Sequence, residues 1–143
     1  MPVILAQTDT TVGFLSQDKT KLFEIKSRDN SKPFLKVYKN FKEFLQDSKR
    51  VPKSRKKLVR NAKKTTFIVN NQAFRISPIS LNSQVFNNYN WNYSTSANES
   101  SKNFDRVFCE SKADIIIENC DGLHEKTSSS LLKINDSKVR KLR

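Results

Sequence analysis

A chain of 143 residues, 36% hydrophobic and 29% charged, is long enough for one domain and too rich in apolar runs for a disordered tail. Its 27 lysines and arginines against 14 acids give a net charge of +13, which favours nucleic acid, nucleotide phosphates or an acidic membrane surface as partners. A composition heavy in Lys and Asn would raise the same charge with no partner at all. The two cysteines, Cys109 and Cys120, make neither a disulfide framework nor a zinc spacing, and His124 stands alone. No run approaches the ~18 apolar residues of a membrane span. The start of the chain lacks the basic region of a signal peptide. The expectation is a cytoplasmic protein with reduced thiols and no membrane partner.

The elements follow from periodicity and punctuation. Residues 3–6 are apolar and β-branched, a buried strand. Residues 8–13 are polar and end in Gly13, a loop. Residues 16–18 open a helix that runs over 18–27 with Leu22, Phe23 and Ile25 as its apolar positions. Asn, Ser and Pro make 28–33 a loop. Residues 34–38 form a strand, and 40–45 a helix with Phe41, Phe44 and Leu45 on one face. The stretch 48–64 has nine cations and no acid, a short basic helix anchored by Leu58 and Val59. Strands follow at 65–69 and 73–76, joined by a turn at Asn70 and Asn71. Residues 77–92 are irregular and 94–101 small and polar. A helix over 103–110 carries Phe104, Val107 and Phe108 on one face. A buried strand over 113–118, a loop over 120–130, a strand over 131–134 and a basic tail complete the chain. Strands and helices alternate only partly, which predicts a mixed-sheet α/β or α+β domain without repeats.

Three polar stretches lie where a strand and a helix meet, the usual place for a site: 8–13, 26–33 and 94–98. With Gly13 and Gly122 the only glycines, neither a P-loop nor a dinucleotide fingerprint exists. No spacing supports a Ser-His-Asp set, and no His and carboxylates are paired for a metal. A phosphate site is what remains. Lys26 and Arg28 converge where a helix breaks into a loop, a point charge beside a forked donor. Ser94, Thr95, Ser96 and Asn98 add hydroxyl and amide donors beside backbone N–H groups. An ordinary turn or helix cap accounts for the same letters.

Taken in order, the stretches resemble the signature of the threonylcarbamoyl-AMP synthase (YrdC-like) family. Thr8-Asp9-Thr10 with Gly13 is similar to the family's Thr-Asp/Glu-Thr stretch after the first strand. Lys26-Ser27-Arg28 with Lys32-Pro33 resembles its KxR segment, and Thr95-Ser96-Ala97-Asn98 is identical to its TSAN core. Thr65, Arg75, Asp121-Gly122, Ser129-Ser130 and Leu142-Arg143 agree more weakly, in order. Gln7 replaces a Pro, Asn61 to Lys64 replace a Pro-Gly-Pro run, Ser101 replaces a Gly, and Val37 stands where a polar residue is usual.

The resemblance implies a single YrdC-like domain over 1–143, a twisted mixed β-sheet flanked by helices. It implies a nucleotidyltransferase that joins L-threonine, bicarbonate and ATP into threonylcarbamoyl-adenylate for adenosine 37 of tRNA, with Mg²⁺ on the phosphates and other tRNA-modification proteins as partners. By position, Lys26 and Arg28 would be catalytic. Arg28, Lys32, Thr65, Ser96, Asn98 and Arg143 would bind the nucleotide, and Thr8, Ser94 and Ser129 the L-threonine. The alternative is a YrdC-like RNA-binding module with little or no synthase activity. There Lys49, Arg50, Lys53, Arg55, Lys56, Lys57 and Arg60 would meet tRNA or other RNA through its phosphates. Trp91 and Tyr93 would offer stacking planes, or simply pack.

Overall fold

The structure is a computed structural model that describes residues 2–26, 34–47, 51–77, 90–99, 102–118 and 120–143. In chain order the elements are β1 (Ile4–Gln7), β2 (Val12–Ser16), α1 (Lys19–Lys26), β3 (Leu35–Tyr38) and α2 (Phe41–Gln46). A 3-10 turn (Lys53–Arg55) then runs into α3 (Lys56–Asn61). Next come β4 (Thr65–Val69), β5 (Gln72–Ile76), β6 (Trp91–Ser96), α4 (Arg106–Lys112), β7 (Ile115–Ile117), β8 (Ser130–Ile134) and β9 (Val139–Lys141). All the strands join one sheet in the order β7-β1-β2-β6-β3-β5-β4-β8-β9. The pairs β1–β7, β3–β5 and β4–β8 are parallel and the rest antiparallel, so the fold is α+β on a mixed sheet.

The two faces of the sheet differ in chemistry because side chains alternate along each strand. One face is apolar and carries the helices. Leu5, Val12 and Phe14 pack under Leu22 of α1 and Cys109 of α4. Tyr38, Phe67 and Phe74 pack under Phe44 of α2 and Val59 of α3. The aromatics interlock, with Phe44 stacked on Phe74 at 4.3 Å between centroids and Phe74 on its cross-strand partner Phe67 at 5.7 Å. Each such ring contributes on the order of 1.5–3 kcal/mol on burial. The other face holds Ile4, Ala6 and Leu15 near β7, then turns polar through Ser94, Ser96, Arg75 and Thr66.

Several expectations need correction. Residues 12–16 form a strand in the middle of the sheet, buried along its whole length, where a loop and a helix start were expected. A strand covered on both faces shows no alternation, so periodicity misses it. Residues 91–96 are likewise a strand, its polar letters answering to the polar face. The strand at 115–117 lies at the sheet edge, and Ile115 and Ile116 are each 43% exposed where burial was expected. The helix expected over 103–110 begins at Arg106, because Asp105 caps it by accepting from the backbone N–H groups of Val107 and Phe108. Val107 is 80% exposed and packs nowhere. In α3 only Val59 anchors; Leu58 faces outward. Part of the expected tail is β9, a strand.

The turn at Asn70 and Asn71 stands as expected, with φ of 51° and 62° at its two central residues, which Asn tolerates. The loop expected at 28–33 and most of 77–92 fall outside the described residues. Among the described residues no helix is long and apolar enough to cross a membrane.

Candidate functional site

A cavity of about 500 Å³ opens on the polar face, floored by β2, β6, β3, β5 and β4. The hydroxyls of Thr8, Thr10, Thr66, Ser94, Ser96 and Ser129 line it beside the apolar Phe34, Leu35, Ile68 and Leu131, with Arg75 and Arg143 as its cations. Gly13 forms part of the floor. A Cβ there would meet the Thr95 backbone O at 3.1 Å and Thr8 Cγ2 at 3.2 Å. The bare backbone lets the β1–β2 turn lie against β6.

That turn is held from within. Thr8 Oγ1 donates to Thr11 O at 2.6 Å and accepts from the Thr10 N–H at 3.2 Å. The fold of the turn sends Asp9 inward to Arg75 on β5, where Asp9 Oδ1 lies 3.2 Å from Nε. Both side chains are sealed, 0% and 5% exposed. The atoms are close enough for an ion pair, yet the N–H points off-line, so neither Asp9 oxygen nor Arg75 Nε has an aligned hydrogen-bond partner. Burial pushes the Arg75 guanidinium below its ordinary value, Asp9 pulls it back up, and the charge of Arg143 pushes it down. Both guanidinium groups line the same cavity. A guanidinium stays protonated in any protein setting, so both are cations there.

Arg143 is positioned by Ser129, donating from Nε to the backbone O at 2.9 Å and from a terminal nitrogen to Oγ at 3.3 Å. Ser129 Oγ in turn lies 2.7 Å from Thr66 Oγ1. On the opposite rim, Lys26 at the end of α1 reaches the turn after β6. Its Nζ donates to Ser96 O at 3.0 Å, Asn98 O at 2.8 Å and Asn98 Oδ1 at 2.6 Å, and Ser96 Oγ donates to Asn98 Oδ1 at 2.8 Å. Three acceptors match the three donors of an ammonium. Lys26 is itself buried and braces the turn rather than lining the cavity. Farther along β6, on the same face as Ser94, the Asn92 amide is buried with neither Nδ2 nor Oδ1 paired.

Of the residues expected at a site, Lys26, Ser96 and Asn98 are thus in mutual contact, and Thr8, Ser94, Ser96, Ser129 and Arg143 line one cavity. Thr65 does not line it; its hydroxyl donates to Lys63 O at 2.9 Å, and the next residue, Thr66, lines it instead. Arg28, Lys32, Lys49 and Arg50 lie outside the described residues. Lys53, Arg55, Lys56, Lys57 and Arg60 sit on the 3-10 turn and α3. Thr66 was missed, and Asp9 and Arg75 were noted without a role. Alternation in β4 and β5 was the available signal, since Thr66 and Arg75 share the face opposite Phe67 and Phe74. Among the described residues no group of three His, Cys, Asp or Glu side chains is placed to hold a metal ion. Among the described residues Asp9, the carboxylate beside the cavity, is committed to Arg75.

An open mixed sheet with helices on one face and a polar hollow on the other defines the class. No family model matches the sequence, and no curated protein does. Solved structures do match in fold. P. abyssi Sua5 complexed with L-threonine is similar over 99% of this chain and 50% of its own, with a TM-score of 0.71 at 17% identity. E. coli YciO is similar over 99% of this chain and 82% of its own, with a TM-score of 0.75 at 16% identity. Full-length HypF in its phosphate- and nucleotide-bound form is similar over 99% of this chain and 26% of its own, with a TM-score of 0.73 at 15% identity. The chain spans about half the length of the Sua5 chain. Its fold is the YrdC-like fold.

Proposed function

We propose that the protein is an L-threonylcarbamoyladenylate synthase, forming threonylcarbamoyl-AMP and pyrophosphate from L-threonine, bicarbonate and ATP. The observation that carries this reading is the hydroxyl-lined cavity, which has Arg75 and Arg143 on one side and the Lys26-braced Ser96–Asn98 turn on the other. A neutral, donor-rich wall with two fixed cations suits a ligand pair bearing a carboxylate and a polyphosphate. A Sua5 of the same fold is complexed with L-threonine, and a HypF containing this fold is bound to phosphate and nucleotide.

In this reading Thr8 and Ser94 hold the amino-acid end. Arg75, fixed from behind by Asp9, neutralises the carboxylate. Ser96, Asn98 and Arg143 face the phosphates. Bicarbonate and the threonine amine form a carbamate, whose oxygen attacks the α-phosphorus while pyrophosphate leaves. The side chains supply position and charge neutralisation, and no covalent intermediate on the protein is needed. Magnesium on the phosphates would add charge neutralisation. The product would pass to a tRNA-modifying partner in the cytoplasm.

A thermal-shift titration with ATP and L-threonine, apart and together, tests the reading. Ligand at about 100 times its dissociation constant stabilises by about 2.7 kcal/mol. Shifts that reinforce each other, with bicarbonate-dependent pyrophosphate release, are expected. No shift with either ligand would overturn it.

A further inference from the structure

On the cavity face, β6, β3 and β5 set out a block of side chains in two rows. Asn92, Val37 and Arg75 are register partners in one row, and Ser94, Leu35 and Ala73 make the next. Ser94, Leu35, Ala73 and Arg75 line the cavity. Asn92 and Val37 complete the block one step behind that lining. Neighbouring strands lie about 4.8 Å apart and alternate residues along a strand about 7 Å apart, so a small ligand held on the lining spans the distance to both.

Asn92 is 1% exposed, and neither its Nδ2 nor its Oδ1 has a hydrogen-bond partner. A buried amide that serves the fold is bonded to backbone or to another side chain, and an unbonded one costs stability. Asn40 shows the usual case, its side chain accepting from the Glu43 N–H at the start of α2. Leucine has nearly the shape of asparagine and would fill position 92 without that cost. The Asn92 amide thus does nothing for the fold that an apolar residue would not do better. Its register partner Val37 is equally sealed, at 2% exposed, and apolar.

We propose that Asn92 and Val37 read the side chain of the amino-acid substrate, Asn92 pairing with the hydroxyl of L-threonine and Val37 packing on its methyl group. This rests on the synthase reading above, in which Arg75 takes the carboxylate and Ser94 holds the amino-acid end. With those groups fixed on the lining, the side chain is the part of the substrate left to point at Asn92 and Val37. A hydroxyl both donates and accepts, and an amide offers one group of each kind. Threonine carries a hydroxyl and a methyl on one carbon, and the sheet sets an amide beside a valine. Valine, the isostere without the hydroxyl, would leave the Asn92 amide as unpaired as before, which is how a site built for a hydroxyl rejects its apolar analogue. An aliphatic residue at 92 would lose that discrimination. Serine keeps the hydroxyl and forfeits the contact with Val37.

Isothermal titration calorimetry with L-threonine, L-valine and L-serine tests this on wild type and Asn92→Leu, with thermal melts of each protein free of ligand. Wild type is expected to prefer threonine to valine by about a hundredfold or more, and Asn92→Leu to bring that ratio below about tenfold. The ligand-free Asn92→Leu protein should melt no lower than wild type, because it replaces an unbonded amide with an apolar group of similar shape. ATP binding should be unchanged. If leucine does not fit, Asn92→Val, a residue suited to a strand, makes the same comparison. Wild type that binds threonine, with the same threonine-to-valine ratio in the folded variant, overturns the assignment of Asn92 and leaves the synthase reading standing. A lower melting temperature in both variants with that ratio unchanged makes Asn92 a structural group and overturns it too. Wild type that binds none of the three amino acids, with or without ATP, removes the synthase reading and this inference with it.

Discussion

Asp9 Oδ1 lies 3.2 Å from Arg75 Nε, with both side chains sealed from solvent and Arg75 lining the polar cavity. The pair joins the β1–β2 turn to β5 across three intervening strand boundaries, from β2 through β6 and β3. Each is the counter-charge of the other at 3.2 Å, without an aligned hydrogen bond between them. Removing one member of a buried ion pair costs about 3–5 kcal/mol, because the survivor is left charged in a poor dielectric. Asp9→Asn and Arg75→Met are each expected to destabilise by that order in urea denaturation. The double variant Asp9→Leu, Arg75→Met should recover much of the loss yet show no melting-temperature response to L-threonine. Single variants as stable as wild type would show that the pair contributes nothing to the fold.

Gly13 is expected to tolerate no side chain. An alanine Cβ would meet backbone at 3.1 Å from Thr95 O, which cannot swing away, and Thr8 Cγ2 at 3.2 Å. Overpacking of this kind costs about 1–3 kcal/mol. Gly13→Ala should therefore lower the melting temperature. It should also weaken any L-threonine response more than the ATP response, because the displaced atoms belong to the Thr8 turn. Equal weakening of both responses would remove Thr8 from the amino-acid end.

At the other end of the sheet, Arg106 of α4 grips Glu118 just after β7 through two hydrogen bonds of 3.0 and 2.6 Å. These bonds hold the Glu118 carboxyl below its ordinary 4.5. A depressed folded value means that the pair stabilises the native state above the unfolded value, and that the contribution fades as pH falls through the folded one. Both groups are in water, so the effect on global stability is small. NMR titration should show Glu118 titrating below an ordinary glutamate in wild type and at the ordinary value in Arg106→Ala. An unshifted Glu118 in wild type would mean that the contact does not persist in solution.

The helical face of the sheet was legible because apolar spacing and packing obey the same rule. Leu22, Phe44 and Val59 were expected on helices with apolar faces, and each is buried. The cavity face was harder to read. Val12–Ser16 is covered on both sides, so nothing alternates, and its small residues read as a loop. In Trp91–Ser96 the buried positions Asn92 and Ser94 are polar, and a cavity rather than a core lies above Ser94. Lys26, Ser96 and Asn98 were placed at one site by resemblance to a signature, and the structure brings them into contact. The Asp9–Arg75 pair spans 66 positions, and no local pattern encodes a contact of that reach.

Lys26 offers the sharpest separation between a charge that touches ligand and a charge that shapes the site. Its ammonium donates to Ser96 O, Asn98 O and Asn98 Oδ1, all within 3.0 Å. Lys26→Met would keep the stem and leave two backbone carbonyls and an amide oxygen without a donor. A fully buried acceptor left unmade costs about 1–3 kcal/mol and these part-buried ones cost less, so a modest drop in stability is expected along with loss of the ATP-induced shift. Lys26→Arg has the charge but not the compact geometry, since a planar fork cannot meet three acceptors converging on one nitrogen. If Lys26 works through the turn, Lys26→Arg should also lose the ATP response, and Ser96→Ala, which leaves the carbonyl contacts intact, should lose only part of it. If Lys26 instead meets phosphate directly, Lys26→Arg should retain most of the ATP response while Lys26→Met loses it. ATP titrations of the three variants, read by thermal shift, decide between the two.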